Sequence, residues 1–221
     1  MGTELPTSSD NQASLPDAYG EGLRYLMGLG KLDNALARLC RDLDEHHIDY
    51  AVIGAVALLA HGYPRFTEDI DILLTPEGLE AFHRELVGRG YLPKFDGARK
   101  KLRSASGGVS VEVITSGEYP GDGRPKPVRF PSPAEAAVEI GGVRVVTLEK
   151  LIELKLASGM TAPHRLRDLA DVQELIKARG LDARFVARLD PYVHDKYLEL
   201  WRAVEQAARH GQGEPGSESQ K

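Results

Sequence analysis

Apolar positions along this chain follow two rhythms, and the switches between them mark out the elements. Helical spacing from Leu32 to His46 predicts an amphipathic helix. Ile48 to Ile53 reads as a short buried strand, and Ala55 to Ala60 as a helix that follows at once, with Gly54 as the hinge. A second strand begins at Asp69 and runs into Ile72-Leu73-Leu74, followed by a helix from Glu77 to Arg89 and strands near Lys101 and Val109. Ala137 to Ile140, a Gly141-Gly142 turn and Val143 to Val146 predict a hairpin. Thr147 suits the N-cap of a helix whose Leu148, Leu151 and Ile152 fall on one stripe. A helix from Pro163 to Ala178 and a long amphipathic one from Pro191 to His210 complete the chain; Tyr197, Leu198 and Trp201 of the last are expected to cover the core. The pattern implies an α/β (α+β) fold, a small mixed sheet flanked by helices with a C-terminal helical appendage.

A length of 221 residues suits one domain with that appendage. Residues 1–20 are rich in Ser, Pro, Asn and Gly, residues 211–221 are poor in apolar side chains, and both are expected to be disordered tails. Residues 21–146 are then the core, and 147–210 a helical part packed on it. The tails carry most of the formal charge of −5 and leave about −1 on the rest, which argues neither for nor against a nucleic-acid partner. Basic side chains do cluster locally, at Lys94, Arg99, Lys100, Lys101 and Arg103 and again at Arg124, Lys126 and Arg129. Either group could be a solvated face or a hold on an RNA backbone. The single Cys40 excludes a disulfide framework and a Cys-rich zinc site. With no signal peptide and no long apolar span, a cytoplasmic location away from membranes is expected.

The chemistry concentrates at Asp69-Ile70-Asp71. On a strand, alternate side chains share a face, so the two carboxylates project together about 7 Å apart while Ile70 and Ile72 enter the core. Like charges so placed repel, and a hard divalent cation relieves the repulsion. The pair precedes its apolar run, whereas a dehalogenase-type phosphatase carries its Asp pair at a strand end. Only one strand and one short helix come before it, too little for the nucleotide-binding unit of an Asp-x-Asp glycosyltransferase. Upstream, Gly54 permits a tight turn, and the first turn of the next helix offers N–H groups to an anion. On the alternating strand Val109 to Ile114, Glu112 lies on the side opposite Val109, Val111 and Val113. Lys155 falls on the inward stripe of its helix, where an ammonium must find an anion or reach water.

The run from Gly54-Ala55 through Gly62-Tyr-Pro-Arg65-Phe-Thr67-Glu-Asp69-Ile-Asp71 resembles the nucleotidyltransferase superfamily related to DNA polymerase β. It is closest to the bacterial branch with the AbiEii-type toxins, and the likeness covers roughly Tyr50 to Ile176. The family pattern has Ser or Gly where this chain has Ala55, and more often Asp where it has Glu112. The resemblance implies a polymerase β-like fold and Mg-dependent transfer of an NMP from an NTP to a hydroxyl of RNA, protein or a small molecule. Asp69, Asp71 and Glu112 would be catalytic and would hold two Mg²⁺ ions, with Mn²⁺ as an alternative. Gly54, Ala55, Arg65, Thr67, Lys155, Arg165 and Asp168 would bind the nucleotide phosphates or line their site, with Lys155 paired to Asp168. Arg167 and Asp171, in the Arg165-Leu-Arg167-Asp168-Leu-Ala-Asp171 run, read equally well as a solvated helix face. A toxin role implies a protein antitoxin. The rival from another class is an inert binding or regulatory module with the same fold, suggested by Ala55 and Glu112.

Overall fold

The computed structural model describes residues 29–211; the expected tails lie outside the described residues, apart from Gly211. The first helix, α1 (Leu29–Glu45), buries Leu39 and Leu43 completely. It ends where His47 turns into the left-handed region (φ 53°) and His46 Nδ1 meets the Asp42 carbonyl oxygen at 2.8 Å. The strand expected from Ile48 begins two residues later, as β1 (Tyr50–Ile53). Ile48 is buried, but its amide still donates to Leu43 O and finishes the helix.

Helix α2 (Gly54–Ala60) follows without a linker, and β2 (Asp69–Leu74) runs antiparallel to β1 with Ile53 opposite Asp71. Ile70, Ile72, Leu73 and Leu74 are fully buried, while Asp69 and Asp71 stay half-buried on the face opposite Ile70 and Ile72. The next helix, α3 (Pro76–Glu85), is capped by Thr75 Oγ1, which accepts from the Gly78 amide at 2.9 Å. It stops short of the expected Arg89, because Val87 already bridges to a short strand, β3 (Tyr91–Pro93), that the pattern did not reveal. Three residues are too few to display alternation. Tyr91 packs edge-on against Phe82, with ring centroids 5.2 Å apart, and its hydroxyl donates to Asp42 Oδ2 at 2.8 Å.

Strands β4 (Lys101–Ser104) and β5 (Ser110–Thr115) follow, then a one-turn helix, α4 (Pro133–Ala136), and the expected hairpin of β6 (Ala137–Ile140) and β7 (Val143–Val146). The seven strands form one mixed sheet in the order β3-β4-β5-β2-β1-β7-β6. Two of its pairings are parallel, β2 with β5 and β1 with β7. The first matters most, because its register sets Asp69 opposite Ser110 and Asp71 opposite Glu112.

Thr147 caps α5 (Leu148–Thr161) as expected. Residues from Leu151 to Ser158 are all buried, so this helix is enclosed on every side rather than amphipathic. Pro163–Arg165 forms a 3₁₀ turn before α6 (Leu166–Arg179), and two further 3₁₀ turns, Ala183–Arg188 and Pro191–Val193, lead into α7 (His194–Gly211). Tyr197 is fully buried, as expected of a core residue, and its hydroxyl donates to Asp182 O at 3.0 Å. Leu151, Val172 and Val193 share one buried cluster with Ile72, so sheet and C-terminal helices enclose a single core. Cys40 is a buried free thiol, its pKa raised by burial. Among the described residues, no helix is long and apolar enough to cross a membrane.

Candidate active site

A cavity of about 630 Å³ opens between one face of the sheet and helices α5 and α6. Asp69, Asp71 and Glu112 line its sheet side, brought level by the β2–β5 register. Gly54, Arg65, Lys155, Arg165 and Asp168 also line it, and so does Arg167. Two residues of the expected phosphate site do not. Ala55 is buried in α2 outside the lining. Thr67 is also buried, and its hydroxyl donates to Asp69 Oδ1 at 2.5 Å, so it orients a carboxylate instead of meeting a ligand.

Gly54 has a sharper role than a generic hinge. Its φ of +68° is one that side-chain-bearing residues rarely adopt, and a Cβ there would stand 2.0 Å from Asp71 Oδ2. The absent side chain makes room for the carboxylate itself.

Asp71 carries the most perturbed acid of the cavity. Burial, then the neighbouring Asp69 and Glu112 carboxylates, push its pKa up to about 7, and Lys155 and Arg65 only partly offset them. Among the described residues, Glu112 pairs with one cation, Lys101 Nζ at 3.4 Å on the adjacent strand. Among the described residues no three His, Cys, Asp or Glu side chains already stand together as a metal cage. The donor set nonetheless fits a hard divalent cation: the acids are oxygen ligands only, and their mutual repulsion is under-compensated by the protein.

This charge imbalance makes a prediction. An acid whose folded-state pKa is raised stabilises the fold below its unfolded value of about 4 and loses that contribution as pH rises toward 7. Without metal, the protein should therefore be less stable at pH 8 than at pH 5, by no more than about 3 kcal/mol from this group. Thermal melts of Asp71→Asn should lack that slope, and added Mg²⁺ should raise the wild-type melting temperature at pH 8 more than that of the variant. Parallel pH profiles for the two proteins would contradict the assignment. Asp168 runs the other way: burial alone would raise it, but Lys155, Ser158 and Arg165 together bring it below the ordinary range. Its contribution is lost only on stronger acidification.

The opposite wall is a buried charge network. Lys155 Nζ donates to Asp168 Oδ1 at 3.0 Å, the expected pair, but more closely to Asp171 Oδ2 at 2.7 Å. The reading of Asp171 as a solvated residue is corrected: it is 2% exposed and also accepts from Arg65 Nη1 at 2.9 Å. The available signal was its position four residues before buried Leu175, the same relation that Asp168 has to Val172. Ser158, one turn beyond Lys155, donates to Asp168 Oδ2 at 2.6 Å and accepts from Arg165 Nε at 3.2 Å. Arg65 is thus tied to the network as well as lining the cavity.

Several cations of the two basic clusters meet partners in the fold. Lys94 donates to Ser110 Oγ at 2.8 Å, Arg99 pairs with Glu80, Lys100 with Glu118 and Lys101 with Glu112. Lys126 is half-buried as a residue, with its side chain only 5% exposed. These cations meet nearby acids, a hydroxyl and backbone, as on a solvated face, while Arg103, Arg124 and Arg129 are exposed. A part of the cavity that motif reasoning missed is the segment Glu118–Gly121, which closes one end.

A carboxylate-lined cleft facing lysine and arginine is suited to phosphoryl chemistry, and comparison with known proteins names the class. The family model described as nucleotidyl transferase AbiEii toxin, type IV toxin–antitoxin system, matches residues 34–212. The protein is a nucleotidyltransferase. It belongs to the AbiEii family, as the sequence resemblance implied. No curated protein matches the chain. Solved structures similar to it include ANT(2")-Ia in complex with adenylyl-2"-tobramycin, at 16% identity over 79% of this chain and 97% of that one, with a TM-score of 0.48. An antigenic nucleotidyltransferase-like protein from Paracoccidioides brasiliensis matches at 17% identity over 82% and 91%, with a TM-score of 0.48. JHP933 from Helicobacter pylori matches at 18% identity over 82% and 93%, with a TM-score of 0.43.

Proposed function

We propose that this nucleotidyltransferase transfers an NMP from an NTP to a hydroxyl acceptor in a divalent-cation-dependent reaction, Mg²⁺ being the metal. The observation that carries the reading is the convergence of Asp69, Asp71 and Glu112 on one cavity wall, across from Lys155, Arg165 and Arg167. Two Mg²⁺ ions held by the three carboxylates would supply the charge that a transferring phosphoryl group and its entering and leaving oxygens require. Thr67 holds Asp69 in one rotamer, and Gly54 leaves Asp71 room to stand in the cavity. Arg165 and Arg167, lining the far side, neutralise phosphate oxygens. Lys155 is committed to Asp168 and Asp171, so it acts chiefly by holding α5 to α6 and setting the positive potential of that wall. Glu112, the acid beside Asp71 in register, is the group nearest in role to the attacking hydroxyl, whose proton it can accept.

In this reading residues 21–146 supply the carboxylates and 147–210 the basic wall, so neither part is a complete enzyme. As a toxin of the AbiEii type, the protein would act on an acceptor inside the cell and be opposed by an antitoxin; RNA, a protein side chain and a small hydroxylated molecule are the three acceptor classes to separate. The test is incubation of the purified protein with each labelled NTP, Mg²⁺ and, in turn, total RNA, a protein extract and a small-molecule extract. Label should enter one fraction and leave it on the digestion specific to that class. Absence of transfer to all three fractions, together with no growth arrest on expression, would overturn the proposal.

A further inference from the structure

The segment between β5 and α4 is closed at its base like a strap: Gly117 donates to Phe130 O at 2.8 Å, and the Phe130 amide returns a bond to Glu118 O at 2.9 Å. Inside it lies an enclosed cation that the proposed function does not use, Lys126. Lys126 Nζ donates to Pro120 O at 2.5 Å, to Asp122 Oδ1 at 2.5 Å and to Thr161 Oγ1 at 3.2 Å. Three acceptors answer the three ammonium protons, which is what a lysine with a side chain only 5% exposed requires. Two of these bonds fold the strap on itself, and the third ties it to the last turn of α5.

The same junction is packed without slack. Gly121, at φ +75°, lies so close to α5 that a Cβ there would stand 2.8 Å from Ser158 O. Ser158 is the residue that holds Asp168, so the strap rests against the helix that carries the basic wall. Its Tyr119, Pro120 and Gly121 line the cavity, and the same lining includes the apolar side chains of Ile114, Phe130, Leu151 and Leu154. In the proposed function the carboxylates and arginines of the same lining take the metal and the phosphates. What is left suits a planar, weakly polar ring with an edge to be hydrogen-bonded.

We propose that Lys126 is a positioning residue, bracing the 118–130 strap against α5 so that Tyr119, Pro120 and Gly121 form the wall for the nucleoside end of the NTP. This rests on the reading that the cavity binds an NTP. The brace acts through the strap; Lys126 itself touches no substrate.

The experiment is calorimetric titration of the full-length protein with Mg²⁺ and each NTP, and separately with Mg²⁺ and inorganic tripolyphosphate, for wild type, Lys126→Met, Lys126→Arg and Thr161→Val. Lys126→Met should weaken binding of the preferred NTP about tenfold. It should leave tripolyphosphate affinity unchanged, and Lys126→Arg should restore most of the loss. Thr161→Val, which removes one acceptor while keeping the shape, should show a smaller loss of the same kind and serves if the methionine variant does not fold. Hydrogen exchange should quicken at Tyr119 and Gly121 in Lys126→Met while the Gly117 and Phe130 amides stay protected. Unchanged NTP affinity in Lys126→Met and Thr161→Val overturns the assignment, and so does an equal loss for NTP and tripolyphosphate, which marks a merely structural residue. A wild-type protein that binds tripolyphosphate but no NTP overturns the proposed function itself, a result distinct from either.

Discussion

Asp69→Ala and Asp71→Ala should each cut nucleotidyl transfer by on the order of 10³-fold or more, with the fold intact. The reason is electrostatic. Both carboxylates stand on the cavity wall, and Asp71 is pressed into the space that Gly54 leaves, with Glu112 beside it in register. Nothing in the core needs the two charges: Ile70 and Ile72 on the other face of the strand do the packing. Removing either acid relieves a repulsion that raises the Asp71 carboxyl, so the metal-free variants should melt no lower than wild type at pH 8. Asp69→Ala also frees the Thr67 hydroxyl, a loss of about 1 kcal/mol that partly offsets the relief. Transfer assays and thermal melts on the same preparations give both readouts. Activity surviving either change would remove the metal-binding role from that residue; a collapse in melting temperature would make it structural.

Asp171→Ala should have the largest effect on stability, on the order of 3–5 kcal/mol, or a fall in melting temperature of roughly 10 °C for a chain of this size. Asp171 is almost wholly buried and receives two cations, Lys155 at 2.7 Å and Arg65 at 2.9 Å. Its removal leaves Lys155 with Asp168 alone. Arg65 loses its partner while its Nε is already buried without one. Breaking one side of a buried pair is costly because the remaining charge stays desolvated. Lys155→Met should be costly for the converse reason, leaving Asp171 to Arg65 alone and Asp168 to Ser158 and Arg165. Combining it with Asp171→Leu should recover only part of the loss, since the Lys155–Asp171 charges go together but Arg65 is still left without its partner. Denaturant or thermal melts of the single and double variants test this. A loss below about 1 kcal/mol for Asp171→Ala would mean that water reaches the network and screens it.

Much of this site was legible before any tertiary contact was known, and the boundary between what was and was not has a physical cause. Period-two alternation put Asp69 and Asp71 on one face of β2 and Glu112 on the cavity side of β5, because side-chain direction on a strand is a local property. Local too were the hinge at Gly54, the cap at Thr147 and the inward position of Lys155. The order of the sheet was not. That Asp71 lies level with Glu112 depends on a parallel pairing of strands separated by two other strands and a helix, and no local rule sets that register. Partner choice inside the network was equally out of reach, since Asp168 and Asp171 are both spaced to meet an inward lysine and only the approach of Arg65 from 106 residues away made Asp171 the hub. The basic residues of the 118–130 strap looked alike along the sequence. Packing against α5 enclosed the Lys126 side chain and left Arg124 and Arg129 exposed. The sequence by itself determined which chemical groups face inward from each element; the tertiary structure decided which of them meet, because charges find partners by distance in space and not by spacing along the chain.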